Sequence, residues 1–348
     1  MKHTVSRFMQ FIAVIAFTIT LSNMAMAQYK LTNLVSNIPG KANHTDTNLI
    51  NAWGIARGAT SPFWVSDNGT GLSTLYDGTG NPQSLIVTIP SATGNGIGFP
   101  TGIVINGSGD FVVSDNQLSG AAVFLFATLD GTISGWSPTV NLNNARIGAN
   151  KSKEGAVYTG LAISSGTTGN FLYAANAGQN RVDVFDGKFK LVNTFTDKNV
   201  PETFAPYGIQ DINGEVYVTF ASTGSVAGGL IDVFSEQGVF IKRLSSDSHL
   251  NQPWGLALAP KNFGPFSNAL LVSNNLPNGV INAFNGTTGK FLGTLSDSTG
   301  KALKIEQIWG LEFGGGSTAN GAVNQLFFTA GPANYTNGRF GVIEFAGN

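Results

Sequence analysis

The sequence contains no cysteine, which excludes disulfides, thiolate metal sites and a lipid-modified cysteine anchor. Charge is scarce as well. Asp, Glu, Lys and Arg make up 11% of the 348 residues, with 19 basic against 20 acidic, and that balance lacks the basic excess of a nucleic-acid-binding surface. Histidine occurs three times, at His3, His44 and His249, and neither a G-x-S-x-G elbow nor an H-E-x-x-H motif is present, so nucleophilic or zinc-protease chemistry finds little support. Beyond the first 27 residues no apolar run is long enough to span a bilayer.

Those first residues have their own logic. Lys2 and Arg7 precede a mostly apolar run over residues 8–21, and Ala25-Met26-Ala27 follows as an A-x-A cleavage site. This is the pattern of a secretory signal peptide. The expected organisation is therefore a cleaved segment, 1–27, and one domain, 28–348, exported to the periplasm or the extracellular space.

What the chain has in quantity is glycine (45), phenylalanine (25) and apolar residues (42%), the composition of an all-β protein with many turns. An aromatic residue or Thr followed by Gly and an apolar run recurs at Gly54, Gly102, Gly160, Gly208, Gly255 and Gly310, at roughly fifty-residue intervals. A repeat of that length carrying four short strands marks a β-propeller. The copy at residues 99–116 reads as a complete unit: a strand at 102–105, hairpin chemistry at Asn106-Gly107-Ser108-Gly109, a second strand at 111–114, and a third at 121–126. The last copy, from Gly310 to the end, is one strand short, whereas residues 29–35 form a lone strand with no hairpin partner beside it. Joining the two gives six four-stranded antiparallel blades closed by the N-terminal strand, with no free edge in the ring.

The copies resemble NHL repeats. Pro100-Thr-Gly-Ile-Val-Ile, Pro206-Tyr-Gly-Ile and Pro253-Trp-Gly-Leu-Ala-Leu carry the first part of that pattern, and Val113-Ser-Asp115 and Arg181-Val-Asp-Val-Phe-Asp186 the rest. The whole chain also resembles an uncharacterised family of secreted bacterial propellers. Both resemblances imply a fold, and neither implies a chemistry.

In such a ring the residue before each anchoring Gly faces one mouth of the central channel. Those residues are Trp53, Thr101, Thr159, Tyr207, Trp254 and Trp309, so blades four, five, six and one carry an unbroken aromatic arc. Two readings are open: packing that plugs the channel, or a platform for a glycan, peptide or protein ligand. Calcium-dependent lactonases of the gluconolactonase type, which are similar propellers, place Asn or Asp at corresponding positions as ligands. None of the six is Asn or Asp, and a hard cation wants several converging oxygens. One loop outward, Glu154, Glu202 and His249 supply the alternative, a divalent metal such as Ca²⁺ held for hydrolase or lyase chemistry. The favoured expectation is a monomeric binding module without a cofactor.

Overall fold

The computed structural model describes residues 28–166 and 169–347, so the expected signal peptide lies outside the described residues. Six antiparallel sheets surround one axis. Blade one comprises Ala52–Arg57, Phe63–Asp67, Leu72–Tyr76 and Val87–Thr88, counted from the axis outward. Blade three runs Tyr158–Gly166, Gly169–Asn176, Arg181–Asp186 and Leu191–Phe195; blade four, Phe204–Ile212, Glu215–Ser222, Gly229–Ser235 and Phe240–Ser245. Blade five is Pro253–Leu258, Leu270–Asn274, Ile281–Phe284 and Phe291–Thr294. Blade six takes Ile308–Phe313, Gln325–Ala330 and Arg339–Phe345 from the C-terminal end and Tyr29–Ser36 from the N-terminal end, with His44–Thr45 added at its edge. Tyr29 pairs with Phe345 and Leu31 with Ile343 in that closing ladder. The Tyr29 hydroxyl donates to the Phe263 carbonyl of blade five at 2.8 Å, which ties the closing strand to the neighbouring blade as well.

Blade two corrects the sequence reading. Its inner strand, Pro100–Ile105, pairs directly with Phe124–Thr128, followed by Thr132–Trp136 and Arg146–Asn150. The expected second strand forms instead a separate hairpin, Val112–Asp115 with Leu118–Ala121. Burial explains the choice. A second strand is covered on both faces by adjoining blades, and all five residues of Phe124–Thr128 are buried, whereas Val112 and Ser114 face solvent. The side-chain amide of Asn106 donates to the carbonyls of Ser108, Asp110 and Ala122 and holds the base of the excursion closed. Phe111, in a left-handed conformation (φ 58°), turns the chain there and is buried against Phe189 of blade three.

The apolar core is divided into seven clusters, one in each of the six gaps between blades and one on the axis. Phe63, Val65 and Tyr76 of blade one meet Phe327, Phe340 and Val342 of blade six, for example. The anchoring glycines explain how the inner strands come together. A Cβ on Gly54 would lie 2.2 Å from the Thr101 carbonyl oxygen, on Gly208 1.9 Å from that of Trp254, and on Gly255 2.4 Å from that of Trp309. Each glycine lets the backbone of the next inner strand approach more closely than any side chain allows.

Candidate functional site

The channel has two ends of different chemistry, and the repeat builds both. At the first end, each of the four aromatic-Gly pairs lies in a bulge of its inner strand: between Ala52 and Ile55, Pro206 and Ile209, Pro253 and Leu256, and Ile308 and Leu311. A bulge re-aims side chains, here toward the axis. The Gly amide within it finds a hydroxyl on the second strand: Thr219 for Gly208, Ser273 for Gly255 and Thr329 for Gly310, at 2.8, 2.8 and 2.9 Å. Ser273 and Thr329 donate in turn to the carbonyls of Trp309 and Trp53 in the following blades.

Of the six residues expected at this mouth, Trp53, Tyr207, Trp254 and Trp309 meet in one cluster, with Leu129 packed against it. Trp53 and Trp309 stack with centroids 3.7 Å apart, and Trp254 meets Trp309 edge-on at 5.8 Å. Tyr207 joins Trp309 at 5.7 Å. The three indoles are 6%, 9% and 2% exposed for Trp53, Trp254 and Trp309, so their faces are occupied by one another. Thr101 and Thr159 are buried too, and their hydroxyls donate to the carbonyls of Tyr158 and Pro206 in the next blades, at 2.8 and 3.2 Å. Trp254 Nε1 donates to the Thr159 carbonyl and Trp309 Nε1 to Asn51 Oδ1, whereas Trp53 Nε1 is buried with no partner among the described residues.

Over this cluster lies a feature with no warning in the repeat pattern. Ala333, Asn334 and Tyr335 are left-handed in succession, at φ 57°, 52° and 66°. The turn places the Tyr335 ring 5.6 Å from Trp309, leaves it 39% exposed, and lets its hydroxyl donate to Asn275 Oδ1 at 2.7 Å. Tyr207 is partly exposed beside it, while desolvation of its hydroxyl raises that group well above the ordinary phenol range.

The three candidate metal ligands are not brought together. Glu154 is exposed and paired with Lys151 at 3.3 Å, and Glu202 is exposed in the loop before blade four. His249 is stacked on Phe291, an outer-strand residue of blade five, with its Nδ1 2.6 Å from Asp247 Oδ1. Among the described residues no group of three or more His, Cys, Asp or Glu is placed to hold a metal ion.

Beyond the indoles the channel narrows to a cavity of about 30 Å³, lined by Gly54, Gly102, Gly255 and Gly310, with room for little more than water. It then widens at the opposite mouth into a cavity of about 310 Å³, lined by Arg57, Gln210, Asp211, Leu256, Leu258, Leu311 and Glu312 among others. Burial drives Glu312 up to about 7, although its side chain keeps 29% of its surface toward the channel; the Arg57 guanidinium, 3.5 Å away, pulls in the other direction. Desolvation likewise raises Asp211, whose Oδ2 is buried without a partner. Arg57 is occupied by the carbonyls of Phe313, Gly314 and Gly58.

Sequence reasoning missed this mouth, yet a signal existed. In register with the anchoring glycines, the second position after Gly reads Ala56, Val104, Ala162, Gln210, Ala257 and Glu312, and the third reads Arg57, Ile105, Ile163, Asp211, Leu258 and Phe313. Polar and charged residues at positions otherwise apolar were the clue.

No protein-family model matches the chain, so the likeness to NHL repeats rests on local motifs. The chain is 31% identical over 323 residues to "Uncharacterized protein R648" of Acanthamoeba polyphaga mimivirus, covering 88% of this chain and 78% of that protein. "Uncharacterized protein L690" of the same virus is 33% identical over 304 residues, 82% of this chain and 79% of that one. Among solved structures, a gluconolactonase from Xanthomonas campestris superposes with a TM-score of 0.54 at 13% identity, over 85% of this chain and 86% of that one. A streptogramin B lyase gives 0.55 at 14%, over 92% and 99%. Identities this low speak for the propeller fold and for nothing further.

Proposed function

The chain belongs to the family of the mimivirus proteins R648 and L690, and from that footing, which lends no chemistry, we propose that it is an exported binding propeller whose ligand docks on the aromatic mouth. Export rests on the signal pattern of residues 1–27. Tyr335 carries the reading. Non-glycine residues in the left-handed region cost roughly 1–3 kcal/mol each and persist where the surroundings or a ligand require them. Three in succession here hold one half-exposed ring over Trp309. The contact surface is thus the rim of Tyr335 and Tyr207, backed by stacked indoles that act as a rigid floor, and it suits a glycan or an extended peptide segment of a protein. A divalent-metal hydrolase or lyase has only the fold likeness of the lactonase and lyase structures behind it, with Glu154, Glu202 and His249 apart.

The test is a panel of soluble oligosaccharides and peptides titrated into the protein and followed by tryptophan fluorescence, since the indole cluster lies directly under the rim. A saturable change that Tyr335→Ala weakens by about tenfold or more supports the reading. A ligand that binds Tyr335→Ala as tightly as the parent removes it.

A further inference from the structure

The strand that closes the ring begins at a residue with a reactivity of its own. On the export reading, cleavage after Ala25-Met26-Ala27 leaves Gln28 first in the chain, with a free α-amine and a side-chain amide carbon that can meet it in a five-membered ring. The fold holds Gln28 by its carbonyl, which accepts from the Ala346 amide at 2.8 Å, and holds the next residue through the Tyr29 amide, which donates to the Ser296 carbonyl at 2.9 Å. The ring would consist of the α-nitrogen, Cα, Cβ, Cγ and Cδ of Gln28, so it closes without breaking either of those hydrogen bonds. The alternation of the closing strand puts Gln28 on the side of the exposed Lys30, away from the buried Tyr29. A surface cavity of about 520 Å³, lined by Gln28, Asp297, Ser298 and Leu303 among others, gives its side chain room to turn back.

Resting on that export reading, we propose that Gln28 is a modification site at which the mature N-terminus is sealed as pyroglutamate. The neutral α-amine attacks Cδ; the N–Cδ bond forms, the Cδ–Nε2 bond breaks, and Nε2 takes the displaced proton of the α-nitrogen and leaves as ammonia. Nothing is oxidised or reduced, and no co-reactant is consumed. An α-amine titrates at about pH 8, so a share of it is neutral under ordinary conditions. Gln28 is partly buried, and a charged terminus there loses part of its hydration, whereas the lactam carries no charge. The seal also protects the seam. An aminopeptidase requires a free terminal amine, and trimming past Gln28 and Tyr29 would remove the hydroxyl that donates to the Phe263 carbonyl and the ring that stacks on Phe266 at 6.0 Å. The competing arrangement keeps the amine charged against Asp297, the acid of that cavity, whose Oδ1 already accepts from Thr299 and from the Lys301 amide.

The experiment expresses the full chain with its first 27 residues in a bacterium, collects the exported protein, and follows intact mass and N-terminal sequencing while it is held at about pH 8, where about half of an α-amine is neutral. The expected species begins at residue 28, is lighter by one ammonia (about 17 Da) than the chain from 28 to 348, and is blocked to sequencing until treated with pyroglutamate aminopeptidase. Gln28→Asn, whose shorter side chain could close only a strained four-membered ring, is expected to be cleaved at the same bond and to stay unblocked. Closure is expected at a similar rate in the folded protein and in guanidinium chloride, since the fold holds only the carbonyl of Gln28. A chain that begins elsewhere removes the export reading and this proposal with it. A chain that begins at Gln28 and keeps its free amine leaves the export reading standing and overturns the proposal. So does closure in guanidinium chloride but not in the folded protein, which would mean that the fold keeps the terminus as an ammonium, with Asp297 as its partner.

Discussion

The two mouths of the channel are made from the same six inner strands and end up opposite in character. At the first, side chains fill the axis: three indoles and a tyrosine are packed on one another, and the hydroxyls of Thr101 and Thr159 join their blades to the next. At the second, side chains leave the axis open, and an acid driven up to about 7 lies beside an arginine that is busy elsewhere. The difference comes down to a few residues along each strand. Before the glycine, a bulge turns large side chains inward; after it, Leu256, Leu258 and Leu311 line a wider opening together with Arg57, Gln210, Asp211 and Glu312. One end therefore supplies stability and the other supplies unsatisfied chemistry.

The strongest way to break that comparison is to empty the closed end. Trp309→Ala removes the ring at the centre of the cluster, 2% exposed and in contact with Trp53, Trp254, Tyr207 and Tyr335. A loss of about 3–5 kcal/mol in urea unfolding is expected. A loss under about 1 kcal/mol would show that the plug is not structural. Next in size comes Gly54→Ala, which brings a Cβ to 2.2 Å of the Thr101 carbonyl between the two mouths; about 1–3 kcal/mol should be lost as blades one and two are forced apart.

At the open end the expected sign reverses. Glu312 binds its proton more tightly in the folded protein than in the unfolded chain, so its contribution is fully present below the ordinary value of 4.5 and is lost as pH rises through about 7. Each pH unit of such a rise is worth about 1.4 kcal/mol, and water in the channel reduces the total to about 1–2 kcal/mol. Glu312→Gln should therefore be more stable than the parent at pH 8 and equal to it at pH 4. Equal melting curves at pH 8 would mean that the carboxylate is well solvated.

How much of this was legible in the sequence depends on whether the information is local. The six anchoring glycines, the strand order and the closure of blade six by Tyr29–Ser36 were readable because each copy repeats one pattern and the ends leave one strand over. Blade two was misread for the complementary reason. Asn106-Gly107-Ser108-Gly109 is good turn chemistry and does make a turn, but which later segment becomes the second strand is decided by burial between blades, and Phe124–Thr128 outcompetes Val112–Asp115 there. The aromatic arc was visible as composition at one position; that the rings close on one another depends on distances across the axis that no single copy encodes. Glu312 and Asp211 do not stand out within a single copy, where each looks like the exposed residue of an alternating strand. Gly331-Pro332 and Asn337-Gly338 announce a turn around Tyr335, but it has no repeat partner, and nothing local says that the ring comes over Trp309.

The smallest expected effect tests whether the two sides of the closed end do the same work. Blades two and three carry threonines where the others carry rings, and each hydroxyl donates across a blade boundary, Thr101 to Tyr158 and Thr159 to Pro206. Valine keeps the shape and removes the donor. Since the Tyr158 carbonyl would then be buried without that partner, Thr101→Val should cost about 0.5–1.5 kcal/mol, and Thr159→Val should cost the same or slightly less because its bond is longer. The Tyr158 carbonyl that Thr101 holds belongs to the peptide bond of Thr159 itself, so the two sites are neighbours, and the double variant is expected to depart from the sum by about 0.5 kcal/mol or more. A double variant that loses much more than the sum would mean that the threonine side closes the ring cooperatively, as the stacked indoles do on the other side, and the contrast between a polar seam and an aromatic plug would then be one of chemistry and not of mechanical role.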